Sequence, residues 1–192
     1  ERDVQIRGYK VRLPLDLFVV ASANPEDYTN RGRIITPLKD RFGSQIRTHY
    51  PRELATELRI MEQERASFVD EGSTTIVPAY MKEVLAELSQ LARRSPEISQ
   101  RSGVSVRVTI ANYENLVSNA LKRALRTGET TVVPRISDLP AVVASTAGKI
   151  ELESVGETSD DRVIERLVQR AVLNVFNRTF ALAEFESLLG AF

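Results

Sequence analysis

Hydrophobic and polar positions alternate with a period of two at the amino-terminal end of the chain, then repeat every ~3.6 residues beyond Arg52, so a short β-rich segment is predicted ahead of a series of helices. Asp3-Val4-Gln5-Ile6-Arg7 alternates, Gly8-Tyr9 turns, and Val11-Arg12-Leu13 alternates again before Pro14, which predicts a hairpin. Residues 17–21 are apolar on both faces, the pattern of a strand buried in a parallel sheet. A further short strand is expected over residues 44–50, closed by Pro51 because proline donates nothing to a ladder.

Past Arg52 the apolar residues form helical stripes. Leu54, Leu58, Met61 and Phe68 make one, and Met81, Val84, Leu85, Leu88 and Leu91 another. A third helix is predicted over residues 106–126, with Ile110, Tyr113, Val117, Ala120, Leu121 and Ala124 inward and Gly128 placed to end it as a left-handed cap. Ile136-Ser137-Asp138-Leu139-Pro140 reads as the capped start of a short helix, with Pro140 tolerated in its first turn. A last helix is expected to begin near Ser159-Asp160-Asp161, whose acids suit a helix amino terminus, and to continue to about Leu189. Residues 151–159 are polar and read as a loop.

Composition narrows the chemistry. With 26 basic residues against 26 acidic ones in 192, no global field draws the chain to DNA or to an anionic membrane. The absence of cysteine excludes disulfides and thiolate metal sites, and a single histidine, His49, leaves no basis for a histidine metal centre or triad. No metal-ligating residue is assigned. His49 is read as a partly exposed structural residue at a strand end. No apolar run approaches the roughly 18 residues a membrane helix needs, and a cytoplasmic protein is expected.

Two segments carry chemistry. The apolar run at 17–21 leads into Ala21-Ser22-Ala23-Asn24-Pro25-Glu26-Asp27-Tyr28, and Thr36-Pro37-Leu38-Lys39-Asp40-Arg41-Phe42-Gly43 follows one loop later. A buried parallel strand delivers polar residues at its carboxyl end, where nucleotides bind, so Asn24 would stand at that edge. A P-loop, Gly-x-x-x-x-Gly-Lys-Ser/Thr, is not found: Gly148-Lys149 is followed by Ile150 and has Val143 where the first glycine belongs. The strand also ends in Ala-Asn rather than in the acidic pair that would hold magnesium.

These two segments resemble the magnesium-chelatase and MoxR branch of the AAA+ ATPases, closely over residues 1–51 and more loosely beyond. The resemblance implies a carboxyl-terminal piece of an ATPase that opens, at Glu1, after the P-loop. It implies that Asn24 is the first sensor, an amide able to donate and accept at once beside a terminal phosphate. It makes Arg41 the arginine finger, inserted into the next subunit's nucleotide site. Plainer readings are an asparagine that caps the Asn-Pro turn and an arginine paired with Asp40 or Glu26. Arg31 and Arg33 compete for the finger role. Arg107, in Ser102-Gly103-Val104-Ser105-Val106-Arg107, is the candidate second sensor near a helix start that already favours anions, with Arg101 as runner-up.

The expected fold is mainly α with a small β portion: a partial α/β core with hairpin and sensor strand over 1–51, a helical lid over 52–150, and a helical extension over 151–192. The intact protein is expected to use ATP and Mg2+ in a homo-oligomeric ring, a hexamer by the resemblance, with a von Willebrand-type domain protein as a possible partner. The piece alone should bind no nucleotide tightly and should not hydrolyse ATP. The alternative is a DNA-binding module of a helicase-like AAA+ protein, using the basic hairpin residues Arg2, Arg7, Lys10 and Arg12. Neutral overall charge weighs against it.

Overall fold

The computed structural model describes residues 3–12, 16, 18–22, 40–67, 74–99, 102–153, 160–180 and 185. The fold is mainly α with a small β part and divides into two units, 1–46 and 47–192.

In the first unit the predicted hairpin forms. Strand β1 (Asp3–Ile6) pairs antiparallel with β2 (Tyr9–Arg12), Val4 opposite Val11 and Ile6 opposite Tyr9. The connecting pair Arg7-Gly8 has φ of 49° and 88°, the doubly left-handed backbone whose twist suits a two-residue hairpin. Among the described residues the two other expected strands are not formed. Residues 18–22 are coil with Phe18 94% and Val20 80% exposed, and 44–50 are likewise exposed coil. A strand needs a neighbour to complete its ladder, and no described residue pairs with either segment.

The second unit is built from helices whose starts and stops follow the sequence. Helix α1 spans Leu54–Glu64, α2 Ala79–Arg94, α3 Arg107–Thr127, α4 Ala141–Ala147 and α5 Asp160–Thr179. Pro78 stands at the start of α2, where its missing N–H costs nothing, and Arg93 and Arg94 in the last turn complement the helix dipole. Gly128 ends α3 in the left-handed conformation, φ 70°. Ahead of α4 the chain makes a 3-10 turn, Ile136–Asp138, and Pro140 takes the cap position. Helix α5 ends at Thr179, earlier than the apolar pattern suggested.

Helix α2 packs against α1, α3 and α5, and α4 against α3 and α5, so one core is shared by all five. Met61, Leu85, Leu88, Leu116, Val142 and Ile164 meet in it, and α5 contributes Val163, Leu167, Ala171 and Val175. Two short pairings tie the connections. Strand β3 (Thr74–Thr75) runs parallel to β4 (Thr131–Val132), and Ile98 bridges Leu152, which fastens the α2–α3 loop to the segment after α4.

Candidate functional site

The segment that leads into α3 is anchored from below by a buried polar cluster. Arg93, in the last turn of α2, directs its fork at Glu57 of α1, with Nη1 donating to Oε2 at 2.5 Å and Nη2 to Oε1 at 2.8 Å. Its Nε donates to the Val104 carbonyl at 2.9 Å. On α3, the Thr109 hydroxyl donates to Glu57 Oε1 at 2.6 Å. Thr109 has a single hydroxyl proton, so Ser89 of α2 is the donor in the 2.7 Å bond between their oxygens. The Arg93 guanidinium lies over the Tyr50 ring, 5.1 Å from its centroid, and the Tyr50 hydroxyl occupies the place a β-carbon on Gly103 would take. Glu57 is fully buried, a burial tolerable for a carboxylate only because Arg93 and Thr109 satisfy both oxygens.

Above this cluster stands Arg107. It is the first residue of α3 and exposed, and its backbone N–H donates to Ser105 Oγ at 3.2 Å. Its guanidinium has no partner among the described residues. An exposed cation at the amino end of a 21-residue helix adds to the positive end of the helix dipole, which makes the position receptive to an anion.

At the other end of α3 a second cluster fixes the turn into α4. Arg123 Nη2 donates to Asp138 Oδ2 at 3.0 Å and to the Val133 carbonyl at 2.8 Å, while the Arg135 backbone N–H donates to Asp138 Oδ2 at 2.8 Å and Asn119 Nδ2 to Oδ1 at 3.1 Å. Burial would raise the Asp138 carboxyl, but these donors and the Arg123 charge outweigh it and hold Asp138 below the usual carboxylate range. Glu129 is lowered too, by the Thr127 hydroxyl first and then by Arg135 and Arg123. Between the two clusters the buried Asn112 amide is satisfied by α4: Ser145 donates to its Oδ1 at 2.6 Å and its Nδ2 donates to Thr146 Oγ1 at 2.9 Å.

Of the residues singled out from the sequence, Asn24 lies outside the described residues, as do Arg31, Arg33 and Arg101. Arg41 stands exposed in a turn of the first unit, beside Asp40, with no ion pair among the described residues. Arg107 belongs to the second unit, so the two arginines are not brought together within one unit. His49 is exposed in coil rather than at a strand end, and its Nδ1–H donates to the Tyr50 carbonyl at 2.8 Å. Among the described residues, no group of three histidine, cysteine or acidic side chains gathers at one point, and no helix is long and apolar enough to cross a membrane. Glu57, Arg93 and Thr109 did not stand out in the sequence, and Asp138 did so only within a capped helix start. For Glu57 a signal existed: it lies four residues before Met61 and three after Leu54, a charge on the apolar stripe of its helix.

Fold and site together define a helical module whose 21-residue helix begins with an exposed arginine that has no guanidinium partner among the described residues, and a hairpin precedes the module in the chain. The chain is similar to the magnesium-chelatase subunit ChlI of Anabaena variabilis, 26% identical over 151 residues that cover 73% of this chain and 43% of that protein. It is equally similar to the magnesium-chelatase subunit ChlI of a Nostoc species, 26% identical over 151 residues, 73% of this chain and 39% of that protein. The chain therefore spans about two fifths of the length of these relatives. This distant similarity supports the magnesium-chelatase-like group of AAA+ proteins at the level of the family alone. No protein-family model matches the chain. No solved structure matches it.

Proposed function

We propose that the chain is the carboxyl-terminal part of a magnesium-chelatase/MoxR-like AAA+ ATPase, which couples ATP hydrolysis in a ring of identical subunits to remodelling of a partner or to metal insertion. The observation that carries this is Arg107, exposed at the first residue of α3 with no guanidinium partner among the described residues, on a backbone held by Arg93. Similarity to two chelatase subunits lends the family context.

In this reading ATP supplies a phosphoryl group for in-line attack by water. Arg107 holds phosphate oxygens within its own subunit, since its fixed guanidinium charge suits a dispersed anion. Asn24 orients the attacking water through an amide that donates and accepts, and Arg41 acts across the subunit boundary, where a positive charge stabilises the charge that develops in transfer. The described residues offer no carboxylate cluster for Mg2+, and no step of this reading is routed through one of them. The ring is a hexamer by family likeness, a von Willebrand-type domain protein is a fitting partner, and the cytoplasm a fitting location. The helicase-like alternative draws no support from either relative.

The test is Arg41→Ala in the full-length protein. ATP hydrolysis should fall by about a thousandfold or more, the scale of an arginine finger, with nucleotide binding nearly unchanged. Undiminished turnover removes Arg41 from the site.

A further inference from the structure

We propose that Arg93 is a positioning residue that sets where Arg107 stands, an inference that rests on the proposed phosphate-reading role of Arg107. Arg93 and Glu57 grip the chain on both sides of it. Three residues before Arg107, the Val104 carbonyl accepts from Arg93 Nε at 2.9 Å; two residues after it, the Thr109 hydroxyl donates to Glu57, which Arg93 holds through both remaining guanidinium nitrogens. The short segment between is held at both ends, whereas the Arg107 side chain is exposed and has no partner among the described residues.

Stability alone does not explain this arrangement. Apolar groups of similar volume usually serve a helical core as well as a buried ion pair does, because desolvation consumes the Coulombic gain. What an arginine adds is direction: five donors in a rigid plane fix carbonyl and carboxylate relative to each other, which lysine cannot do. Three separate elements, α1, α2 and the start of α3, are thereby locked at one point, and the Tyr50 ring closes the open face of the guanidinium. The exposed arginine that this lock carries is the group whose placement matters most in the proposed site.

Amide hydrogen exchange on this chain, paired with ATP kinetics of the full-length protein, tests the assignment. Arg93→Lys keeps the charge but loses the fork; Glu57→Gln, which keeps a hydrogen-bonding isostere, serves as the second variant should the first fold poorly. Exchange over residues 104–109 should accelerate about tenfold or more in either, with α5 unchanged. In the full-length enzyme Arg93→Lys should raise the KM for ATP about tenfold, as Arg107→Ala should, and the double variant should be no worse than the poorer single one, the non-additivity of residues acting as a unit. Unchanged exchange over 104–109, or effects on KM that multiply, would overturn the proposal. Faster exchange with a KM that Arg107→Ala leaves untouched would support the positioning by Arg93 while rejecting Arg107 as a phosphate reader.

Discussion

The two units handle apolar residues in opposite ways. In the hairpin, residues paired directly across the strands share a face, so Val4, Ile6, Tyr9 and Val11 form one apolar face, yet they remain 44% to 79% exposed. In the helical unit Val84, Leu85, Leu88 and Leu116 are all at 1% or less. Periodicity alone therefore does not make a core. A two-stranded ribbon has one apolar face and nothing of its own to cover it, whereas α2 is flanked by three helices that each complete a part of its surface.

This contrast sets the largest expected effect. Glu57→Ala leaves the Arg93 guanidinium buried beside Val104 without its counter-charge, and should cost about 3–5 kcal/mol in urea unfolding followed by helical circular dichroism. Ile6→Ala, at 58% exposure, should cost about 0.5 kcal/mol or less in the same measurement. Equal losses from the two substitutions would mean that the hairpin shares the cooperative unfolding of the helices, and the division between the units would have no energetic content.

The same contrast explains what the sequence could disclose. Helices α2, α3 and α5 were legible because each stripe repeats for several turns, and Gly128 marked the end of α3 as the structure has it. The strands expected at 17–21 and 44–50 do not appear among the described residues because a strand is a property of a pair, and a one-chain pattern such as Phe18-Val19-Val20 records only that a partner would suit it. Arg107 could be found from its cap-like context, Ser105 included. The network beneath it could not, since Glu57, Arg93 and Thr109 are far apart in sequence and each looks ordinary alone. Their meeting is decided by how α1, α2 and α3 cross.

An intermediate effect should appear on acidification and should belong to the helical unit. Arg7, Lys10 and Arg12 of the hairpin are all exposed, whereas Asp138 is buried and held below its ordinary value of 3.8 by Arg123 and the Arg135 N–H. A carboxyl lowered on folding binds fewer protons in the folded chain than in the unfolded one. Its stabilisation is thus fully present above 3.8 and is lost as pH falls through the lowered folded value. Asp138→Asn should be less stable than the parent by about 2 kcal/mol at neutral pH, and the gap should close in acid. A gap of constant size from neutral to strongly acidic pH would show that the Asp138 charge contributes nothing.

The smallest effect offers the sharpest comparison, because the same backbone conformation occurs in both units. Gly8 in the hairpin turn has φ 88° and Gly128 at the end of α3 has φ 70°, and at neither would an added β-carbon meet another atom. Any penalty for alanine is then the left-handed backbone itself, about 1 kcal/mol at either position. At Gly128 that penalty should pass into global unfolding, because the cap N–H bonds to the Ala124 carbonyl and Ala124 lies in the buried cluster with Ala120 and Val132. At Gly8 the same substitution should weaken only the hairpin, read as faster amide exchange over residues 4–11, with the urea midpoint unmoved. A matching midpoint shift at both sites would join the hairpin to the helical core as a single cooperative body.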